Sequence, residues 1–389
     1  MAGSVLFHVQ HLLGIGHLQR TLRIADAFAK SGIAATLVSG GLPVEGLAAS
    51  RTYQIVQLPP IRARDASFAL LDGNDRPVGE KLWQARREAL LAAFAAARPD
   101  VVVLEGFPFA RRAFRGELDP LIATVRARGG RLVSSIRDIL VRRDDPARHR
   151  AIAERVRADF DLVLVHGDPA FVSLEASFPA AEIADRLRYT GYVAAPKAET
   201  ADAEETDGAR TEVIVSAGGG AAGRALLQAA LLARRAGVLA DGPWRLLAGP
   251  NLPEPEFRAF GVGLPPNVIV ERFRPDLPRL LRRARVSISQ AGYNTVLDVL
   301  AARAPAVFVP FAEGRETEQS VRAAHLAARG AGEMVPGAKL SPERLAAAIR
   351  RALARGPGTL VLDTGGARRS AELIAGLIRG PNRPAGPSA

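Results

Sequence analysis

The chain contains no cysteine, two methionines and two tryptophans, and aromatic residues make up only 5% of it. Without thiols there is neither a disulfide nor a thiolate metal site, which fits a reducing compartment. No apolar run approaches the roughly 18–20 residues of a membrane-crossing helix. The first residues pass almost directly into an apolar strand with no basic-then-apolar leader, so a soluble, cytoplasmic protein is expected. Lysine is nearly missing too. Lys30, Lys81, Lys197 and Lys339 are the only four, and arginine carries almost all of a formal charge of +12. That charge raises nucleic-acid binding, but the arginines are scattered, aromatics are few and no nucleic-acid motif is present. An arginine-rich composition gives the same charge without such a partner, so none is expected. Anionic substrates and an anionic membrane surface remain compatible, the latter through Arg111, Arg112 and Arg115 beside Phe107, Phe109 and Phe114; a solvated amphipathic face is the preferred reading of that stretch.

What is present is a globular composition, 48% hydrophobic over 389 residues, long enough for two domains. Strand and helix alternate. Val5–Val9, Ile33–Val38, Gln54–Leu58, Val101–Leu104, Leu132–Ile136 and Leu162–Val165 read as strands, the unbroken apolar ones as buried and parallel. Helices are expected from about Leu18 to Lys30, near Glu80–Ala97, and after Asp145-Pro146. Arg62–Pro77 reads as a long irregular loop. A polar, acidic stretch over 196–210 marks a linker. The pattern then restarts with Val213–Val215, Arg245–Leu247, Val268–Val270 and the strands at Val286 and Val307. The expected fold is α/β, two doubly wound parallel sheets facing across a cleft at their C-terminal strand edges. The domains are 1–195, 211–366, and a helix and tail at 367–389 that pack back on the first domain.

Two Gly-rich turns follow the first strand of each half. Gly14-Ile15-Gly16-His17 lets backbone approach a substrate, and His17 at the helix start could take a proton near neutral pH or simply cap the helix. Glu105 and Asp138, with Arg137, sit at strand C-termini and are further candidates for that site. Ser216 to Arg224, with Gly218, Gly219, Gly220 and Gly223, resembles a phosphate-cradling nest to which Arg224 adds charge. It lacks the Gly-Lys-Ser/Thr ending of a P-loop, and no acidic ribose partner follows at dinucleotide spacing. Gln290-Ala291-Gly292 links a strand to a helix whose positive end favours an anion. Asp298 within two turns could accept from sugar hydroxyls. Phe273 and Arg274 end a strand where backbone could meet a base edge. No metal site is expected: His8 and His11 lack a partner at ligand spacing, and Asp159-Phe160-Asp161 reads as coincidence.

These residues, with Tyr293-Asn294-Thr295 and Pro310-Phe311 to Glu318-Gln319, resemble the GT-B glycosyltransferases. The chain is similar to the MurG-like group (UDP-GlcNAc:lipid-linked muramyl-peptide transferases), to UDP-glucuronosyltransferase-type C-terminal domains and to an uncharacterised bacterial and archaeal group. The family 28 C-terminal domain is implied, most specifically over Arg272–Gly332. The resemblance implies that Asp298 holds ribose hydroxyls, Glu318 and Gln319 meet the donor sugar, and the backbone of Arg274 reads uracil. Ala291, Gly292 and Thr295 begin the helix that faces the diphosphate, Gln290, Asn294 and Glu313 are further substrate-binding candidates, and His17 falls on the first-domain histidine. Retaining relatives carry two Glu eight positions apart; here Gln290 and Asp298 hold those places, which implies inversion. The expected activity is inverting, metal-independent transfer of a hexosyl group, N-acetylhexosaminyl included, from a UDP-sugar to an acceptor hydroxyl. No cofactor is needed. The acceptor is unidentified, with anionic and lipid-linked ones both compatible, as is peripheral contact with the inner membrane face. A UDP-sugar 2-epimerase and a non-catalytic nucleotide-sugar-binding protein are the alternatives.

Overall fold

The apolar runs become the central strands of two parallel sheets. The computed structural model describes residues 3–29, 31–44, 53–64, 68–195, 210–219, 223–249, 252–311 and 317–380. Backbone contacts divide the chain into two units, Met1–Ala194 with Leu362–Ala389, and Ala195–Val361. The expected linker at 196–210 lies outside the described residues except for Arg210.

The first unit holds a seven-stranded sheet. Its strands are β1 (Ser4–Val9), β2 (Ala34–Ser39), β3 (Gln54–Gln57), β6 (Val101–Glu105), β7 (Arg131–Arg137), β8 (Leu162–His166) and β9 (Leu187–Tyr189). They run in the order β3-β2-β1-β6-β7-β8-β9, each pair parallel. β6 and β8 are buried along their whole length, which is why they read as continuous apolar runs. Succession reverses direction between β1 and β6, and ligands of open α/β sheets gather at such a reversal, beyond the C-terminal strand ends. The β1 turn, the helix α1 (Gly16–Ala29) and Glu105 at the end of β6 all meet there.

Arg62–Pro77 departs from its expected irregularity. β4 (Ile61–Ala63) pairs antiparallel with β5 (Leu70–Asp72), and Asp72 Oδ1 accepts from the backbone N–H groups of Asn74 and Arg76 to build the turn. Three residues per strand are too few to show alternation in sequence. The remaining helices of this half are α2 (Glu80–Ala97), α3 (Arg115–Ala127) and α4 (Pro146–Asp159). Asp145 caps α4 by accepting from Arg148 N, with Pro146 in the first turn, so the start signal read in the sequence acts as capping chemistry dictates.

In the second unit β10 (Glu212–Ser216), β11 (Trp244–Leu247), β12 (Val268–Glu271), β13 (Ala284–Ser289), β14 (Ala306–Phe308) and β15 (Glu333–Met334) form a six-stranded sheet. The order is β12-β11-β10-β13-β14-β15, again all parallel. Here the reversal falls between β10 and β13, so the Gly-rich turn after Ser216 and the Gln290 turn leave neighbouring strand ends. The described helices are α5 (Arg224–Arg235), α6 (Glu254–Phe260), α7 (Leu277–Arg282), α8 (Tyr293–Ala301), α9 (Glu318–Ala328) and α10 (Pro342–Arg355). The last begins on a Ser341-Pro342 signal that the sequence reading passes over; Ser341 Oγ accepts from Arg344 N. After Val361 the chain belongs to the first unit. α11 (Gly366–Arg379) packs on α1 and puts Ala371 and Ile374 into the core of Val5, Phe7, Leu18 and Leu22. Among the described residues no helix is long and apolar enough to cross a membrane.

Candidate active site

In the first unit the turn after β1 delivers His17 to the first turn of α1, over the end of β6. His17 Nδ1 donates to Glu105 Oε1 at 2.8 Å. The buried Arg20, one turn further along α1, pairs with the same oxygen, and Ser135 Oγ donates to Glu105 Oε2 at 2.7 Å. A carboxylate only accepts, so Nδ1 carries the ring hydrogen and Nε2 keeps the lone pair. Glu105 is buried, while His17 keeps 23% of its side chain exposed. This is a carboxylate–imidazole pair on a part-exposed histidine, the form a general base takes.

The local charges set its strength. Burial pushes the His17 imidazole down, and the positive charges of Arg137 and Arg111 push it further; the Glu105 hydrogen bond opposes them, leaving it at about 3. His17 is therefore neutral near pH 7. Burial alone would raise Glu105, but the charge of Arg20 and the hydrogen bonds from His17 and Ser135 outweigh it and hold the carboxyl well below its ordinary range. His166 at the end of β8 is likewise pushed down to about 3 by burial and Arg20.

These shifts have a consequence for stability. Unfolded histidine binds its proton near pH 6.5, so between about 3 and 6.5 the unfolded chain holds more protons than the folded one. Stability is then lost as pH falls through that window, and the depressed Glu105 adds a further loss below about 4.5. The thermal midpoint should decline steadily from pH 7 to pH 4.5 in calorimetry. A flat profile would contradict the buried neutral histidines.

Asp138 is not part of this pair. It is fully buried and accepts from Tyr192 Oη at 2.7 Å, so its carboxylate offers no surface to a substrate. Gly16 does open α1 beside His17. Arg20, Ser135 and His166 were not singled out in the sequence.

In the second unit the Gly-rich turn after Ser216 meets the Gln290 turn. Gly218 has φ +63°, and a Cβ there would come within 3.1 Å of Gln290 Oε1. A Cβ at Gly223 would stand 2.1 Å from that of Ala217, so both positions need glycine. Gly219 completes the described part of the loop, and Gly220 lies outside the described residues. Gln290 N donates to Ser216 O at 3.2 Å, which fixes the second turn to the first strand. Gly292 occupies the cap position of α8, and no side chain caps that helix. Its first N–H groups are thus presented at the positive helix end, the arrangement that receives phosphate. Asn294 and Asp298, four residues apart, share one half-buried face of α8, with Thr295 between them.

Arg322, missed in the sequence, is the strut of this turn. Fully buried on α9, it donates to Ala291 O at 3.0 Å, pairs with Glu318 at 2.9 Å and lies over the Tyr293 ring. Glu318, expected at the donor sugar, is buried here and paired with Arg322. The signal was there as Glu318 and Arg322 at i and i+4, but it reads as a surface pair until burial is known. Gln319 Oε1 accepts from Phe311 N at 3.1 Å. Glu313 lies outside the described residues. At the end of β12 the Arg274 guanidinium is held by Asp276 at 2.8 Å and by Glu271, and Phe273 is 56% exposed. Arg224 is mostly exposed and faces Glu256 at 3.5 Å. Among the described residues no three metal-capable side chains cluster, and Asp161 is taken up by Arg131, Arg126 and Leu132 N.

Residues 218–358 match the glycosyltransferase family 28 C-terminal domain. A UDP-N-acetylglucosamine–N-acetylmuramyl-(pentapeptide) pyrophosphoryl-undecaprenol N-acetylglucosamine transferase of Brucella anthropi is 38% identical over 92 residues, 24% of each chain. An uncharacterised glycosyltransferase of Methanopyrus kandleri is 33% identical over 108 residues, 28% of this chain and 31% of its own. The similarity thus spans about a quarter to a third of these curated relatives. Among solved structures, the glycotransferase of kitacinnamycin superposes with a TM-score of 0.64 at 18% identity, covering 97% of this chain and all of that one. MurG of Acinetobacter baumannii superposes at 0.58 and 16% identity, covering 96% and 99%. The chain is built on the GT-B fold, and its residues 218–358 match the glycosyltransferase family 28 C-terminal domain.

Proposed function

We propose that this protein is an inverting glycosyltransferase that moves a hexosyl group, N-acetylhexosaminyl included, from a UDP-sugar to an acceptor hydroxyl. The observation that carries the reading is the pairing of His17 with Glu105 at the sheet reversal of the first unit, with Nε2 left to take a proton. In this reading His17 deprotonates the acceptor hydroxyl as it attacks the anomeric carbon, and Glu105 stabilises the imidazolium that forms. Burial first, and then the charges of Arg137 and Arg111, hold His17 neutral and ready to accept a proton.

The donor nucleotide is assigned to the second unit. Its diphosphate meets the first N–H groups of α8, and Asp298 accepts from the ribose. Those N–H groups and the helix dipole then stabilise the leaving diphosphate without a metal or cofactor. The match to a family 28 C-terminal domain and the names of the sequence relatives support a UDP-sugar donor. The single acid, Asp298 with Gln290 in place of a second, supports inversion.

The test is a thermal-shift screen of nucleotides followed by calorimetry. UDP should raise the midpoint by mass action where ADP and GDP do not. Asp298→Ala should weaken UDP about tenfold, the size of one lost hydrogen bond to a charged group. An unaltered UDP affinity in that variant removes the ribose role.

A further inference from the structure

Behind Glu105, on the side away from His17, a line of polar side chains crosses the sheet. Strand pairing sets Glu105 directly beside Ser135 and brings the end of β8 next to β7. Ser135 Oγ lies 2.7 Å from Glu105 Oε2 and 2.9 Å from His166 Nε2. His166 Nδ1 lies 2.9 Å from Thr190 Oγ1. All three residues are buried, in a sheet whose neighbours Leu164 and Val165 are apolar. Buried polar groups placed in a row are costly unless fully paired, and here each pairs with the next.

The hydrogen directions follow from the ionised carboxylate. Glu105 only accepts, so Ser135 donates to it. The Ser135 oxygen then accepts from His166 Nε2–H, and the Thr190 hydroxyl, whose one hydrogen is shared between His166 Nδ1 at 2.9 Å and Gly191 O at 2.8 Å, closes the line. His166 does not act as a sink for the proton that His17 takes, because charging it at full burial beside Arg20 is unfavourable.

We infer that Ser135, His166 and Thr190 are positioning residues that lock Glu105 with Oε1 toward His17 and so hold His17 in the single tautomer that leaves Nε2 unprotonated. The inference rests on His17 being the base of the proposed reaction. The charged and titratable groups facing Glu105 are His17 and Arg20 from α1, Arg111 from the segment after β6, and His166 from β8; Arg137 faces His17. Without the Ser135 hydroxyl, Oε2 loses a donor and the carboxylate is left held at Oε1 by His17 and Arg20. The bias toward one His17 tautomer then falls, and the acid limb of the activity profile moves upward as the more basic carboxylate favours the imidazolium.

Nitrogen-15 NMR of the histidine rings in the full-length chain at pH 7 tests this directly. In the parent, His17 should show hydrogen on Nδ1 and His166 hydrogen on Nε2. Ser135→Ala should lower the His17 tautomer ratio by about tenfold, the size of one hydrogen bond to a charged group, and His166→Phe by a smaller factor, since it removes bonds to neutral hydroxyls. Ser135→Thr and His166→Gln, which keep a donor, should restore it. If His166→Phe does not fold, the Ser135 pair carries the same comparison. A parent His166 protonated on Nδ1, or a His17 ratio unmoved in Ser135→Ala, overturns the inference. The NMR readout needs no turnover, so the two ideas fail separately: full activity in His17→Ala removes the base, whereas an unmoved tautomer ratio removes the lock.

Discussion

His17→Ala is expected to lower kcat by about 10²–10⁴-fold, the range a positioned general base supplies, with UDP affinity nearly unchanged. The split between turnover and binding is the informative part. His17 is assigned to the acceptor hydroxyl and not to the nucleotide, so losing the imidazole takes away an interaction made in the transition state. Glu105→Gln is expected to follow in the same direction with a smaller loss. The amide oxygen can still accept from Nδ1, but it no longer offsets the imidazolium charge beside Arg111 and Arg137. Steady-state kinetics with calorimetry for UDP checks both variants, and unchanged turnover in His17→Ala ends the role of His17 as base.

Glu117→Ala is expected to destabilise the protein by about 3–5 kcal/mol, the cost of leaving a buried charge without its partner. Arg86 and Glu117 are both fully enclosed, bridged at 2.7 and 2.8 Å. The same guanidinium donates to Gly40 O, Pro59 O and Gln10 Oε1. It therefore ties together the segments that leave β1, β2 and β3, immediately before the turn that carries His17. His8 Nε2 stands 3.5 Å from Glu117 on the other side. Removing the acid strands a cation in a core of Leu90, Phe94 and Phe114. The double change Arg86→Met with Glu117→Leu should cost less than Glu117→Ala alone, because it removes both charges and fills the space. Denaturant unfolding decides the matter, and a double variant less stable than the single would contradict the argument.

Apart from the short Leu187–Tyr189 and Glu333–Met334, the strands of both sheets were legible, most readily where burial on both faces spells a short apolar run, as in Val101–Glu105 and Leu162–His166. The Gly-rich turns were legible for a local reason as well, since Gly218 and Gly223 are dictated by a positive φ and a close approach within the same few residues. His17 and Glu105 could be named separately but not joined. Their contact spans 88 residues and depends on the strand order, which periodicity does not encode. Arg20 and Ser135 were hidden for the same reason, and Arg322 because an i,i+4 ion pair looks alike on a surface and in a core. Asp138, also at the C-terminal end of a strand, is buried and accepts from Tyr192 across 54 residues of chain, a contact equally absent from periodicity. The hairpin over Arg62–Pro77 escaped because its strands are shorter than any detectable alternation.

The most direct measurement is a crystal structure of the full chain soaked with UDP. The account predicts diphosphate oxygens hydrogen-bonded to the backbone N–H groups of Asn294 and Thr295, with the ribose on Asp298. UDP bound away from the Gln290 turn, or a ribose that leaves Asp298 untouched, would contradict it.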